Sequence, residues 1–94
     1  MQLPHAAADA DLDYYRSHEQ RTILDGISKF LGVDADVESK RRKQLRPNPV
    51  GPWELRLADY RIFYEVGTEG VVRVLAIGYK MHNDLFIRGR RTEI

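Results

Sequence analysis

The segment Trp53-Glu54-Leu55-Arg56-Leu57-Ala58-Asp59-Tyr60-Arg61-Ile62-Phe63-Tyr64-Glu65-Val66 constrains this chain more than any other. It alternates apolar and polar residues on both sides of Ala58-Asp59, the pattern of two half-buried strands joined by a two-residue turn. Closing that turn pairs Leu57 with Tyr60 and Arg56 with Arg61. Trp53, Leu55, Leu57, Tyr60, Ile62 and Tyr64 then share one sheet face by the period of two. The opposite face carries Glu54, Arg56, Arg61, Phe63 and Glu65. Two arginines directly opposite each other repel. A strand pair that keeps them presents them to an anion, and fixed guanidinium forks suit phosphate. Ordinary ion pairs from Arg56 and Arg61 to Glu54 and Glu65 are the competing reading.

The rest of the chain supplies something for the apolar face to pack on. Ala10–Arg16 reads as a first helix. Ser17 reads as an N-cap with Gln20 as its capping-box partner. A second helix over His18–Leu31 places Ile23, Ile27, Phe30 and Leu31 on one stripe and stops at Gly32. Beyond the hairpin, Gly67-Thr68-Glu69-Gly70 is a turn, Val71–Lys80 a long strand rich in β-branched residues, and Leu85-Phe86-Ile87 a short last strand. Helices followed by sequence-adjacent strands imply an α+β fold: two N-terminal helices on one face of a small antiparallel sheet. The 94 residues suit a single domain, with 1–9 and 89–94 as flexible ends.

Charge divides the chain. Residues 1–39 carry 3 basic and 8 acidic side chains, and residues 40–94 carry 12 and 6. The second half is therefore the half suited to a polyanion. The basic run Lys40-Arg41-Arg42-Lys43, with Arg46, is a candidate for tracking phosphates. Arg46-Pro47-Asn48-Pro49 predicts an extended, stiff connector. Pairing Val66 with Val71 would set Arg61 opposite Ala76 and put Val72, Val74, Ala76, Gly78 and Lys80 on the arginine face. Lys80 then converges on Arg56 and Arg61, with His82 just beyond. Phe63 stands among these cations, where an aromatic ring can stack on a base. Taken alone, Lys80 reads as a strand-end solubility residue and His82 as a surface polar residue. Histidine is nonetheless the side chain suited to proton transfer near neutral pH.

Several classes are excluded. With no cysteine there is no disulfide scaffold and no thiolate metal site, which fits a reducing cytoplasm. His5, His18 and His82 show no ligand spacing, so no metal is expected. There is no Gly-rich phosphate loop and no apolar run long enough for a membrane span, and without a basic stretch followed by an apolar run the first residues are not expected to be a secretory leader.

Leu45-Arg46-Pro47-Asn48-Pro49, the hairpin Trp53–Val66 and the strand Val74-Leu75-Ala76-Ile77-Gly78-Tyr79-Lys80 together resemble the RelE/ParE family of toxins from bacterial type II toxin–antitoxin pairs. The likeness runs from about Ala10 to Ile87. It implies a compact α+β fold, no cofactor and a cognate antitoxin that wraps the toxin. Operator DNA would be bound only through the toxin–antitoxin complex. RelE-like members cut mRNA on the ribosome without a metal, the RNA 2′-hydroxyl attacking a phosphate held by basic residues. ParE-like members inhibit DNA gyrase. On this resemblance Arg61 matches the sheet arginine that contacts the phosphate, and Arg56 a neighbouring basic position. Lys80 stands where RelE-like nucleases carry a second arginine. Arg56, Arg61, Lys80 and His82 are then the expected catalytic set, with His82 as general acid or base and Glu54 the second choice. Lys40, Arg41, Arg42, Lys43, Arg46 and Phe63 are the expected RNA contacts. Glu54 falls where a basic residue is typical, Phe86 falls where many nucleases have a catalytic tyrosine, and the usual first strand is missing or very short before Ala10.

Overall fold

The computed structural model describes residues 2–4 and 6–94. In chain order these form β1 (Gln2–Pro4), α1 (Ala6–Asp13), α2 (Ser17–Leu31), β2 (Arg42–Gln44), β3 (Trp53–Leu57), β4 (Tyr60–Val66), β5 (Val72–Met81), β6 (Asp84–Ile87) and β7 (Arg90–Thr92). Six strands lie antiparallel in sequence order from β2 to β7, and β1 adds in parallel to the start of β5. The first strand is thus present, three residues long. The last residues are not all loose: β7 pairs with β6 through a two-residue turn at Arg88-Gly89, both with positive φ. That geometry favours glycine at one position and gives a tight hairpin.

The helices differ from expectation in their starts. Helix α1 begins at Ala6 and ends at Asp13, because the Ala-rich stretch is a better helix former than Tyr14-Tyr15-Arg16. Helix α2 takes in Ser17, so Arg16 is its N-cap. The capping contact comes from Glu19, whose Oε1 accepts the Arg16 backbone N–H at 3.3 Å. Gly32 ends α2 with helical φ, and Asp34 supplies the left-handed residue instead. The predicted stripe is correct: Ile23, Ile27 and Leu31 are buried, with Phe30 packed at their edge. They meet Leu55, Leu57, Ile62 and Tyr64 on the sheet, the face assigned by alternation. At Gly26 a Cβ would lie 2.2 Å from Leu57 Cδ1, so glycine permits the close approach of α2 to β3.

The β3–β4 register is as read from sequence, with Leu57 opposite Tyr60 and Arg56 opposite Arg61. The β4–β5 register is not. Val66 pairs with Val72 rather than Val71, which turns Val72 and Val74 into the helix-side core. A one-residue slip inverts a strand, so Val72 and Val74 do not share the arginine face as expected. Between Phe63/Ala76 and Tyr64/Val74 the pairing shifts again, leaving Leu75 as an extra residue. This bulge restores the original parity, and Arg61 faces Gly78. Lys80 therefore stays on the arginine face.

The connector 32–52 is a folded cover. Arg42 Nη1 donates to Phe30 O and its Nε to Val37 O, both at 2.9 Å. Tyr64 Oη donates to Ala35 O at 2.7 Å, and burial pushes this phenol up to about 12. Asn48 closes the proline-rich turn. Its Nδ2 donates to Arg46 O (2.8 Å) and Gly51 O (2.9 Å), and its Oδ1 accepts from Val50 N (2.8 Å) and Gly51 N (3.0 Å). The segment expected to be extended and stiff is a bend because one amide side chain satisfies four backbone groups there. Leu45 and Val50 are thereby laid on Phe63, Ala76 and Leu85, a second small core on the other sheet face.

One edge of β5 pairs with β1 over Val72–Val74 and with β6 over Tyr79–Met81. The Ile77 N–H lies between these partners and donates to Asp11 Oδ2 of α1 at 2.9 Å. Asp11 is 1 % exposed. Arg88 Nε stands 3.0 Å from Asp11 Oδ1, an ion-pair contact without hydrogen-bond alignment. Burial raises the Asp11 carboxyl above its ordinary value, opposed by the Ile77 N–H bond and then by Arg88.

Asn48→Ala strips acceptors and donors from a partly buried bend and should cost about 1–3 kcal/mol in urea unfolding. Asp11→Ala should cost a similar ~1–3 kcal/mol by orphaning the Ile77 N–H. Because the folded state holds the Asp11 proton more tightly than the unfolded chain, its ionisation lowers stability as pH rises through the raised pKa. Asp11→Asn keeps an acceptor and lacks that step. It should gain stability relative to the native protein as pH rises above the ordinary aspartate value of about 3.9; urea titrations upward from that pH would measure the difference.

Candidate functional site

Arg56, Asp59, Arg61, Lys80, His82 and Asn83 line one open depression of about 450 Å³ at the end of the β3–β4 and β5–β6 hairpins. All four residues expected to form the catalytic set are thus brought together. Each is placed by backbone geometry. Arg56 and Arg61 are cross-strand partners beside the Ala58-Asp59 turn, where Ala58 has a φ of 51°. Lys80 N donates to Asp59 O at 2.8 Å, extending the ladder past the Tyr60/Tyr79 pair and carrying Lys80 to the turn. His82 and Asn83 are the two central residues between Met81 and Asp84, both with positive φ, the signature of a type I′ turn. Asparagine at the second position was the sequence signal for that turn.

The two arginines do not repel across an empty gap. Glu54, two residues before Arg56 on the same strand and face, is only 3 % exposed and stands with both. Arg56 Nε donates to Glu54 Oε1 at 2.8 Å, and Arg61 Nε lies 3.9 Å from Glu54 Oε2. Arg61 folds back onto the turn, its Nη1 donating to Ala58 O (2.8 Å) and Tyr60 O (2.9 Å). Its Nε is buried without a hydrogen-bond partner among the described residues. The Arg61 side chain is 15 % exposed and that of Arg56 45 %. Arg61 is a cation held inward on the turn carbonyls, and Arg56 a more exposed one held by Glu54. Glu65 turns away and pairs with Arg73 at 3.5 Å. Lys80 makes no ion pair among the described residues.

The wider set of expected RNA contacts divides. Lys40, Lys43 and Arg46 are exposed, and Lys43 and Arg46 line a separate hollow with Leu45, Pro47 and Asn48. Arg41 lies 4.6 Å over the Phe30 ring and reaches Arg56 O at 3.4 Å. Arg42 is spent on the carbonyls of Phe30 and Val37, so it ties α2 to β2 rather than facing a ligand. Phe63 is fully buried beneath Leu45 and Val50 and offers no ring to a base. Phe86 pairs with Tyr79 and lines a groove with Tyr14, Tyr15 and Met81, apart from the residues of the cation depression. Asp59 and Asn83 are site residues that the sequence reading did not select. Among the described residues no three His, Cys, Asp or Glu side chains assemble as a metal-binding group, and no helix is long and apolar enough to cross a membrane.

Residues 4–83 match the ParE toxin of the type II toxin–antitoxin system parDE. The chain belongs to the ParE toxin family, within the RelE/ParE superfamily. Among solved structures, the toxin–antitoxin complex RelBE2 from Mycobacterium tuberculosis contains a chain of the same fold. The similarity has a TM-score of 0.65 at 18% identity, covering 85% of this chain and 96% of that one. No curated protein matches the chain. The two N-terminal helices and the antiparallel sheet are therefore those of the RelE/ParE fold, as the sequence resemblance implied.

Gly78 permits the close approach of β6 to β5 in this toxin. A Cβ there would stand 2.8 Å from Leu85 Cδ1 and 2.9 Å from the Phe86 carbonyl oxygen. Gly78→Ala should therefore push β6 off β5 and cost about 1–3 kcal/mol. Chemical denaturation would give the loss, and amide exchange should locate it at Tyr79–Met81.

Proposed function

We propose that this toxin is a metal-independent endoribonuclease that cuts mRNA on the ribosome. The observation that carries the reading is the convergence of Arg56, Arg61, Lys80 and His82 on one open depression. In-line attack by an RNA 2′-hydroxyl on the adjacent phosphorus forms a 2′,3′-cyclic phosphate, expels the 5′-oxygen and builds negative charge on the phosphate oxygens. Cations already held in position stabilise that charge more in the transition state than in the ground state. Arg61, fixed to the turn carbonyls, is the anchor. Arg56 and Lys80 close on the phosphate from either side. His82, exposed on its turn, takes or gives the proton. A cognate antitoxin is the natural partner of a toxin in this family, and an acidic antitoxin segment over the depression would block RNA by occupying its phosphate site.

A second reading rests on a specific observation. Glu54 neutralises part of the arginine charge, and the Phe86 position faces a different groove. These favour a non-catalytic module, either a ParE-like gyrase inhibitor or a chain that binds only its antitoxin and, through that complex, operator DNA.

Induced expression without antitoxin distinguishes them. The nuclease reading expects growth arrest with new mRNA 5′ ends inside codons by primer extension, both abolished by Arg61→Ala at equal expression. Arrest with intact mRNA would transfer the function to gyrase, and normal growth would leave the binding module.

A further inference from the structure

Building on the reading of the depression as a phosphate site, we propose that Glu54 is a positioning residue that stands in for the phosphate. It holds the two guanidiniums together when the site is empty and sets how strongly the site attracts nucleic acid. Three observations lead there. Arg56 and Arg61 are directly opposed, an arrangement that is unfavourable unless an anion lies between them. Glu54 supplies that anion with one carboxylate oxygen toward each arginine, at 2.8 Å and 3.9 Å. It cannot leave: it sits inside β3 opposite the buried Phe63 and is 3 % exposed.

The consequence is a charge balance. Arg56, Arg61 and Lys80 face Glu54 and Asp59, so the depression carries a net charge near +1 rather than +3. Such a site attracts an isolated strand weakly and needs other contacts to bring RNA to it. The 2.8 Å bond also fixes the Arg56 stem while leaving its outer nitrogens to a ligand. Glu54 thereby exchanges raw affinity for a defined guanidinium geometry.

The test is fluorescence anisotropy with labelled 2′-O-methyl RNA, which lacks the attacking hydroxyl, and with single-stranded DNA of the same length, at several salt concentrations. Glu54→Gln should bind both about three- to tenfold more tightly. Its log–log salt dependence should steepen by about 0.7, one added effective cation on a single strand. The Glu54→Gln/Arg56→Gln double variant keeps the native charge balance and should return the slope to the native value. Unchanged or weaker binding by folded Glu54→Gln, with an unchanged slope, would overturn the proposal. Should Glu54→Gln fail to fold, Arg56→Gln is compared with the double variant. A slope steeper by about 0.7 in the double supports the proposal, and equal slopes overturn it. Tightening in protein whose expression leaves mRNA intact would support the role of Glu54 while removing the nuclease reading.

Discussion

The extra residue in β5, Leu75, governs both faces of the sheet. Before it, Val72 and Val74 point to the helices and complete the main core. After it, Ala76, Gly78 and Lys80 point the other way, beside Phe63 and Arg61. Without the bulge, one of these sets would face wrongly, since strand parity admits no compromise. The protein therefore has an apolar core and a cationic depression on opposite faces of the same strand.

Other contacts make that arrangement tolerable. Asp11 occupies the stretch of β5 between β1 and β6 and satisfies the Ile77 N–H from a helix. An unpaired N–H there would weaken the sheet where the bulge already interrupts it. Arg88 links the same carboxylate to the β6–β7 turn, so helix α1, the central strand and the terminal hairpin meet at one side chain. On the other face, Asn48 holds the proline-rich bend over Phe63. The site at the sheet end is thus built on elements braced from both faces, which keeps the arginines and Lys80 in register.

Electrostatics of the depression follow from a spacing of two residues. Glu54 and Arg56 share a face, and the turn brings Arg61 opposite. The buried carboxylate resolves a repulsion that would otherwise oppose closure of the hairpin. On the proposed reading it also moderates the charge offered to a polyanion. Both roles arise from the same two contacts.

Short-range pattern was enough for much of this. Alternation and the two-residue turn determined the β3–β4 register, because parity and loop length leave a single closure. Helical periodicity determined the buried stripe of α2, and the Trp53–Val66 hairpin with the Val74–Lys80 strand carries the likeness to the RelE/ParE superfamily. What the sequence could not decide were quantities set by non-local competition. The bulge at Leu75 depends on how two cores share one strand. The burial of Phe63 depends on a bend closed by Asn48. The loss of Arg42 to backbone carbonyls depends on where α2 ends relative to β2. Pattern within a strand states which residues lie together; only tertiary packing decides which of them still face solvent.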